Sequence, residues 1–435
     1  VYDLAIKNGK VYTDAGWIGA NIYVADGKIA HFGTETYEAR EDYDAQGLEV
    51  LPGLIDPHVH FDLDLGWIRS RDDFISGSVA AAYGGVTSVI DFLAPTHNER
   101  ELEQSFHQRR REAEDCLTDY NFHATICRPD GDLEKYVMKM KELGMHTLKL
   151  FTTYSDSGRD TSHEHIIELL KLSEKHRFLL MAHIENDAMI KTGTSYRHTD
   201  LPQCRPTESE TSEALTLASY VERYGGYLYM VHLSSGATLK ELVTRYPHLL
   251  NQRFFVESCP QYFLFSSDDL NREDSRLYTC APPLRRLDEQ RLLHEYEHFV
   301  DTIGTDHCAF DRADKEKKRL IDMPLGIGGI EHSFTTMRRI YGDGVIPRMS
   351  SRVAALMGLP HKGKIEVGYD ADLALFARDG EYVIDAHHGK TDYSLYRGLK
   401  GSGHFMATIV RGRFVLKHGE IMKHHGQWIR GEEPR

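Results

Sequence analysis

The chain opens on short runs in which β-branched and aromatic residues alternate with polar ones. That period of two marks strands half-buried on a sheet. Leu4-Ala5-Ile6, Lys10-Val11-Tyr12, Asn21-Ile22-Tyr23-Val24 and Lys28-Ile29-Ala30-His31-Phe32 are such runs, separated by Asn8-Gly9, Asp26-Gly27 and Gly33. Asp26-Gly27 is a tight-hairpin signal, because both residues tolerate the positive φ the turn needs. Residues 1–50 read as one half of a small all-β unit. From about residue 51 the pattern changes. Apolar runs of strand length recur at Leu51–Ile55, Val86–Phe92, Asn121–Ile126, Thr147–Phe151, Phe178–Ala182, Tyr227–Val231, Arg253–Glu257 and Phe299–Gly304. Amphipathic stretches of helical spacing lie between them: Asp73–Tyr83, Leu102–Asp115, Leu133–Leu143, His163–His176, Thr211–Tyr224 and Thr238–Tyr246. Eight strands alternating with helices predict a (β/α)8 TIM barrel. An open doubly wound sheet would favour a Gly-rich phosphate loop after its first strand, and the chain has none.

Beyond the eighth strand, the charged stretch Asp311–Arg319 reads as solvated loop, and helical stretches follow near Ile330–Tyr341 and Ser350–Met357. Strand character returns at Gly363–Phe376 and Thr408–Val415. The expected fold is α/β: a barrel over residues 51–361, inserted into a small β-sandwich domain formed by residues 1–50 and 362–425. The polar tail, 426–435, is expected to extend or fray.

Barrels of this kind keep their chemistry at the carboxyl ends of the strands. The first run leads into His58 and His60, which at i and i+2 leave a strand on the same face. The fourth carries Lys149, the fifth ends in His183, the sixth in His232 and the eighth in Asp306. A single histidine is ordinarily a core or rim residue. Six such groups on one rim point to a divalent metal such as zinc, which takes neutral imidazole and carboxylate. Lys149 fits as more than a charge. An ammonium in an apolar strand is costly to desolvate, so its pKa falls. The neutral amine can then add carbon dioxide and become a carbamate able to bridge two metals. The alternative is an ion pair with Asp306.

Composition narrows the partners. Lys+Arg 52 against Asp+Glu 66 gives 52 − 66 = −14, which offers nucleic acid or anionic membranes nothing overall. No apolar run is long enough to cross a bilayer, and the start has no charged-then-apolar signal pattern. The six cysteines are scattered without a C-x-x-C pair, so a reducing cytoplasm is expected.

Several stretches resemble a known family. Gly53-Leu54-Ile55-Asp56-Pro57-His58-Val59-His60 is similar to the opening motif of the amidohydrolase superfamily. Arg71-Asp72-Asp73-Phe74, Ala80-Ala81-Ala82-Tyr83-Gly84-Gly85-Val86-Thr87-Ser88-Val89-Ile90-Asp91-Phe92, Glu257-Ser258-Cys259-Pro260-Gln261-Tyr262 and Ala281-Pro282-Pro283-Leu284-Arg285 resemble its dihydropyrimidinase/hydantoinase branch. The resemblance covers nearly the whole chain. It implies a hydrolase that opens a hydantoin or dihydropyrimidine-type ring with a metal-bridging hydroxide, giving an N-carbamoyl amino acid. It implies two divalent metals, usually zinc: one on His58, His60 and Asp306, the other on His183 and His232, bridged by carboxylated Lys149. Tyr154 matches the tyrosine that donates to the developing oxyanion, and Asp306 the proton carrier. The family habit is a homodimer or homotetramer.

The match departs from the family in places. Ala281 stands where a Ser usually precedes Pro-Pro-Leu-Arg, and Leu325 where an Asn usually follows the Pro of a later loop. Both positions hold the ring amide largely through backbone groups, so ring binding survives while ring type is open. After Tyr154 the loop is Ser155-Asp156-Ser157-Gly158-Arg159, small and polar where bulky apolar residues usually gate the substituent. This suits a roomier or more polar substituent, with Arg159 either meeting a carboxylate or standing exposed. Dihydroorotases often carry Arg two residues after the second motif histidine; Asp62 stands there. An allantoinase- or dihydroorotase-like activity, or hydrolysis of another ring or of a linear amide, is the alternative chemistry. A non-catalytic scaffold, as some animal relatives are, would lack ligands that are all filled here. His97, His424 and His425 read as surface or supporting groups.

Overall fold

The structure is a computed structural model describing residues 1–378 and 382–434. Eight parallel strands lie side by side in chain order: β1 (Leu54–Val59), β2 (Val86–Phe92), β3 (Asp119–Thr125), β4 (Thr147–Phe151), β5 (Leu179–His183), β6 (Leu228–Met230), β7 (Phe254–Ser258) and β8 (Thr302–Ile303). The ring closes where Val59 bridges His307 in parallel and His60 N–H donates to His307 O at 2.9 Å. Helices follow the strands at Phe74–Tyr83, Glu99–Glu112, Leu133–Glu142, His163–His176, Thr207–Tyr224, Gly236–Arg245 and Leu287–Glu295. Asp73, Asn98, Asp132, Ser162 and Ser235 cap five of them by accepting from a backbone N–H of the first turn. The barrel is therefore a (β/α)8 TIM barrel. Its strands are almost wholly buried, which is why they read as continuous apolar runs.

One barrel strand differs from expectation. The run Leu51–Ile55 straddles a border. Glu49–Pro52 pairs with Tyr2–Thr13 and Leu373–Ala377 in the small sheet, and the barrel strand starts at Leu54. Both segments are buried, so the apolar pattern carries no break. Gly53 makes the crossing, where an added Cβ would lie 2.2 Å from Thr87 Oγ1 and 2.8 Å from Asp372 Cβ. His58 consequently lies inside β1 rather than just past its end.

Among the described residues the small sheet has nine strands. In order they are Glu420–Ile421, Arg413–Lys417, His404–Val410, Leu373–Ala377, Glu49–Pro52, Tyr2–Thr13, Gly16–Ala25 and Lys28–Gly33, with Ala39–Asp44 also on Tyr2–Thr13. Asn8-Gly9 is a bulge rather than a separator: Asn8 has φ 61° and the register shifts between Ile6 and Gly9. Before it the strand pairs with Ala39–Asp44, after it with Glu49–Pro52. The sheet thereby folds around a core that includes Ile6, Val11, Ile22, Val50, Leu375 and Ile409.

Three further expectations change. Strand in Gly363–Phe376 begins only at Leu373. Asp311–Arg319 is not all solvated: Lys315 is fully buried, and its ammonium donates to Thr279 O at 2.7 Å and Thr279 Oγ1 at 3.1 Å. The tail does not fray over its described length. Tyr120 N–H donates to Gln427 O and Ile429 N–H to Tyr120 O, while the Trp428 ring lies 5.1 Å from those of Phe106 and Phe122. One apolar ring and free backbone donors outweigh the tail's polar composition. Its last residue, Arg435, lies outside the described residues. Among the described residues no helix is long and apolar enough to cross a membrane.

Candidate metal centre

The strand ends bring their side chains together. Nε2 of His58 and Nε2 of His60 are 3.2 Å apart, and Asp306 Oδ1 lies 3.2 Å from the first and 3.1 Å from the second. The rings continue as a row: His58 to His232 is 5.4 Å between centroids, and His232 to His183 is 4.6 Å. Lys149 is buried with its ammonium 4.9 Å from the Phe92 and Phe151 rings. Among the described residues it has no carboxylate within ion-pairing distance, so the alternative pair with Asp306 does not form. Tyr154 packs its ring 5.1 Å from that of His183. Ala281 and Leu325 belong to loops outside this cluster. Ala281 precedes Pro282, whose carbonyl accepts from Tyr262 OH at 2.9 Å, and Leu325 faces a cavity of about 150 Å³ shared with Arg205.

Two strand-end backbones are bent to make the cluster. His232 has φ 40° and Asp306 φ 52°, left-handed conformations that turn the chain sharply after β6 and β8. Asp56 ties β1 to the segment after β8, accepting from His58 N and Thr305 N, each at 3.1 Å, and from the Thr305 hydroxyl. Burial pushes the Asp56 carboxyl up to about 6.

Carboxylates that sequence reasoning missed hold the imidazoles from behind. Glu257 Oε1 is 2.7 Å from His58 Nδ1 and also accepts from His232 N at 3.0 Å; its Oε2 accepts from Tyr229 OH at 2.7 Å. Glu185 Oε2 is 2.5 Å from His183 Nε2 and is paired with Arg205. Each carboxylate takes an N–H from one ring nitrogen and leaves the other facing the cluster, the tautomer a metal requires. His58 therefore presents Nε2, and His183 presents Nδ1. Phe92 forms a floor, 4.7 Å from His58, 4.8 Å from His60 and 4.6 Å from His123 between ring centroids. His123 itself is spent on Pro57 O and Thr147 Oγ1. Glu185 had a signal, standing at i+2 from His183; Glu257 and Phe92 had only their place in a motif or strand. Elsewhere, His97 bonds Cys127 O at 2.9 Å.

The charges of three of the four imidazoles are those of neutral ligands. Burial holds His60 below the ordinary histidine range, His183 down to about 4, and His232 well below it. Burial also opposes charge on His58, but Glu257 and Asp306 outweigh it and raise His58 to about 9. Burial opposes ionisation of Asp306, yet His58 and His60 keep it well below the carboxylate range. Burial lowers Lys149 to about 8 and raises the Tyr154 phenol to about 12. Nδ1 of His60 and of His232 are buried, with no hydrogen-bond partner among the described residues. Two nitrogens and a carboxylate oxygen face one another at 3.1–3.2 Å, a donor set that suits a divalent cation. The residues present fit a metal.

The comparisons with known proteins agree. Residues 50–415 match the model of the amidohydrolase family. The chain is 31% identical to a D-hydantoinase of Geobacillus stearothermophilus, over 98% of this chain and 96% of that one. It is 30% identical to a D-phenylhydantoinase of Escherichia coli, over 95% and 94%. The solved D-hydantoinase (dihydropyrimidinase) from a Thermus species superposes with a TM-score of 0.91 at 28% identity, covering 99% of both chains. With its barrel, its rim of imidazoles and these relatives, the chain belongs to the amidohydrolase family, on its hydantoinase-like branch.

Proposed function

We propose that the protein hydrolyses a cyclic amide, a hydantoin or dihydropyrimidine-type ring, to an N-carbamoyl amino acid. The observation that carries this reading is the convergence of His58, His60 and Asp306 on one point, beside His183, His232 and a buried unpaired lysine. His58, His60 and Asp306 would hold one divalent cation and His183 and His232 a second, zinc being the first candidate. Carboxylated Lys149 would stand between them. Its neutral amine nitrogen adds to carbon dioxide and releases a proton, so a cationic position becomes an anionic one. When bound, the cations would supply Lewis acidity, acidifying water and polarising a carbonyl.

The chain's own groups then divide the work. Tyr154 keeps its phenolic proton and donates it as a hydrogen bond to the carbonyl oxygen while negative charge develops there. Asp306 is ionised, so it takes the proton of the attacking water and passes it to the leaving ring nitrogen. Backbone groups beside Ala281 and Leu325 hold the ring amide. Ser155–Ser157 are exposed and polar, and the Arg159 guanidinium lies 5.9 Å from the Tyr154 ring, which supports a roomy or polar substituent pocket.

The test is a hydrolysis screen of hydantoin, dihydrouracil, allantoin and dihydroorotate, using metal-loaded protein with added bicarbonate. Opening of hydantoin or dihydrouracil, abolished by chelation and in Asp306→Ala, is the expected result. Preference for allantoin or dihydroorotate would move the ring assignment. Protein that purifies without metal and opens none of the four would support a scaffold instead.

Assembly and location are proposed with the same activity. A homodimer or homotetramer would use the edge strand Glu420–Ile421 of the small sheet, which light scattering of the purified protein checks. All six cysteines are free, which supports a reducing cytoplasm.

A further inference from the structure

Tyr154 has φ 70° and ψ 36°, a left-handed conformation that a bulky non-glycine residue avoids. Such strain persists only where the surroundings over-determine it. The Tyr154 carbonyl accepts from Ser157 N–H and Arg159 N–H, each at 3.1 Å, and Asp187 bonds the residues on either side of it. Asp187 Oδ1 accepts from the Thr153 hydroxyl at 2.9 Å and from Ser155 N–H at 3.3 Å, and its Oδ2 accepts from the Ser155 hydroxyl. The carboxylate thus grips the residues on both sides of Tyr154 and leaves the phenol free.

Asp187 is itself fixed. It opens the short turn Asp187–Met189, which Asn186 caps by accepting from Ala188 N at 3.1 Å; Asn186 N–H in turn donates to Ser209 O at 3.0 Å. It lies four residues past His183, as Tyr154 lies five past Lys149. A second stitch joins the same two segments closer to the strands: the Thr152 hydroxyl donates to Glu185 O at 2.9 Å and accepts from Glu185 N. Arg128 adds a bond from its guanidinium to Ser155 O at 2.9 Å, but it holds one side only.

We infer that Asp187 is a positioning residue that locks Tyr154 in its left-handed conformation and so aims the phenol at the reacting carbonyl. The inference rests on the role proposed above for Tyr154.

The experiment compares Asp187→Ala, Asp187→Asn, Tyr154→Phe and the double variant Asp187→Ala/Tyr154→Phe in metal-loaded protein. Asp187→Ala is expected to lower kcat about 10- to 100-fold, the scale of an ångström's misplacement. KM should stay within about twofold and the metal-to-protein ratio should not change. Asp187→Asn retains an oxygen for the Thr153 hydroxyl and the Ser155 amide, so it should recover much of the loss. The double variant should be no slower than Tyr154→Phe alone. Wild-type kcat in Asp187→Ala, a rise in KM alone, or a double variant slowed by the product of the two effects would overturn the inference. A Tyr154→Phe variant with full rate would instead remove Tyr154 from the reaction. In that case a crystal structure of Asp187→Ala decides about the anchor: Tyr154 leaving positive φ upholds it, and Tyr154 unchanged overturns it.

Discussion

Glu257 shows how much one buried carboxylate sets at this rim. It holds His58 through Nδ1, the His232 backbone through N–H and the Tyr229 hydroxyl, all in a fully buried place. Glu257→Gln keeps the shape but no longer selects the His58 tautomer. Metal affinity should fall about 10- to 100-fold, read by competition with a chelator of known affinity; unchanged affinity would contradict the role. Lys149 carries a pH signature. Burial lowers its pKa to about 8, so the reactive neutral form gains as pH rises. At pH 7 about a tenth of the amine is neutral, against under one part in a thousand for an ordinary lysine. At fixed dissolved carbon dioxide, the initial rate of carbamate formation in metal-stripped protein follows the neutral amine, so it should climb about tenfold from pH 6 to pH 7 and level off above about pH 8. Labelled carbon dioxide followed by carbon NMR checks this, and a flat profile would refute it. The strand-end rule put the four histidines, Lys149 and Asp306 on one rim, where the structure also gathers them, because it needs only local pattern and strand order. It could not find Glu257 or Phe92, whose partners are set by the closing of the ring, nor the turn in which Asp187 meets Ser155.

At the scale of elements, the alternation of strands and helices was legible because each barrel strand is buried and each helix has one wet face. The N-terminus of the Phe74–Tyr83 helix was nearly exact in the sequence, since Asp73 caps it. The border between sheet and barrel was not. Glu49–Pro52 and Leu54–Val59 are both buried, with apolar residues on either side of Gly53, and periodicity records burial rather than which sheet a strand joins. Gly53 alone marks the crossing. Gly53→Ala would push a methyl group against Thr87 and Asp372 and should destabilise the protein by about 1–3 kcal/mol. Thermal unfolding reads this as a lower Tm; an unchanged Tm would mean that the crossing has room. The bulge at Asn8-Gly9 escaped for a related reason: in sequence it is a turn signal, and only the two partners on either side of it reveal a continuous strand.

Over the whole molecule, the two ends of the chain complete one sheet, and the tail returns to the barrel. Trp428 seats against Phe106, Tyr120 and Phe122, and the Arg110 guanidinium lies 5.1 Å from its ring. Trp428→Ala should cost about 2 kcal/mol of stability while leaving metal content and rate per folded molecule unchanged. Loss of activity without loss of Tm would contradict that purely structural part. Composition hid this seat, because a mostly polar segment with one tryptophan reads as solvated until the groove for that ring exists. The same ring of strands gathers groups separated by as many as 248 residues, His58 and Asp306, within 3.2 Å of each other. What fills that gap decides the chemistry. A high-resolution crystal structure of protein loaded with zinc and bicarbonate shows it. Two cations are expected, one on His58, His60 and Asp306 and one on His183 and His232, with a carbamate on Lys149 between them. A bare Lys149 ammonium with the imidazoles turned apart would contradict this.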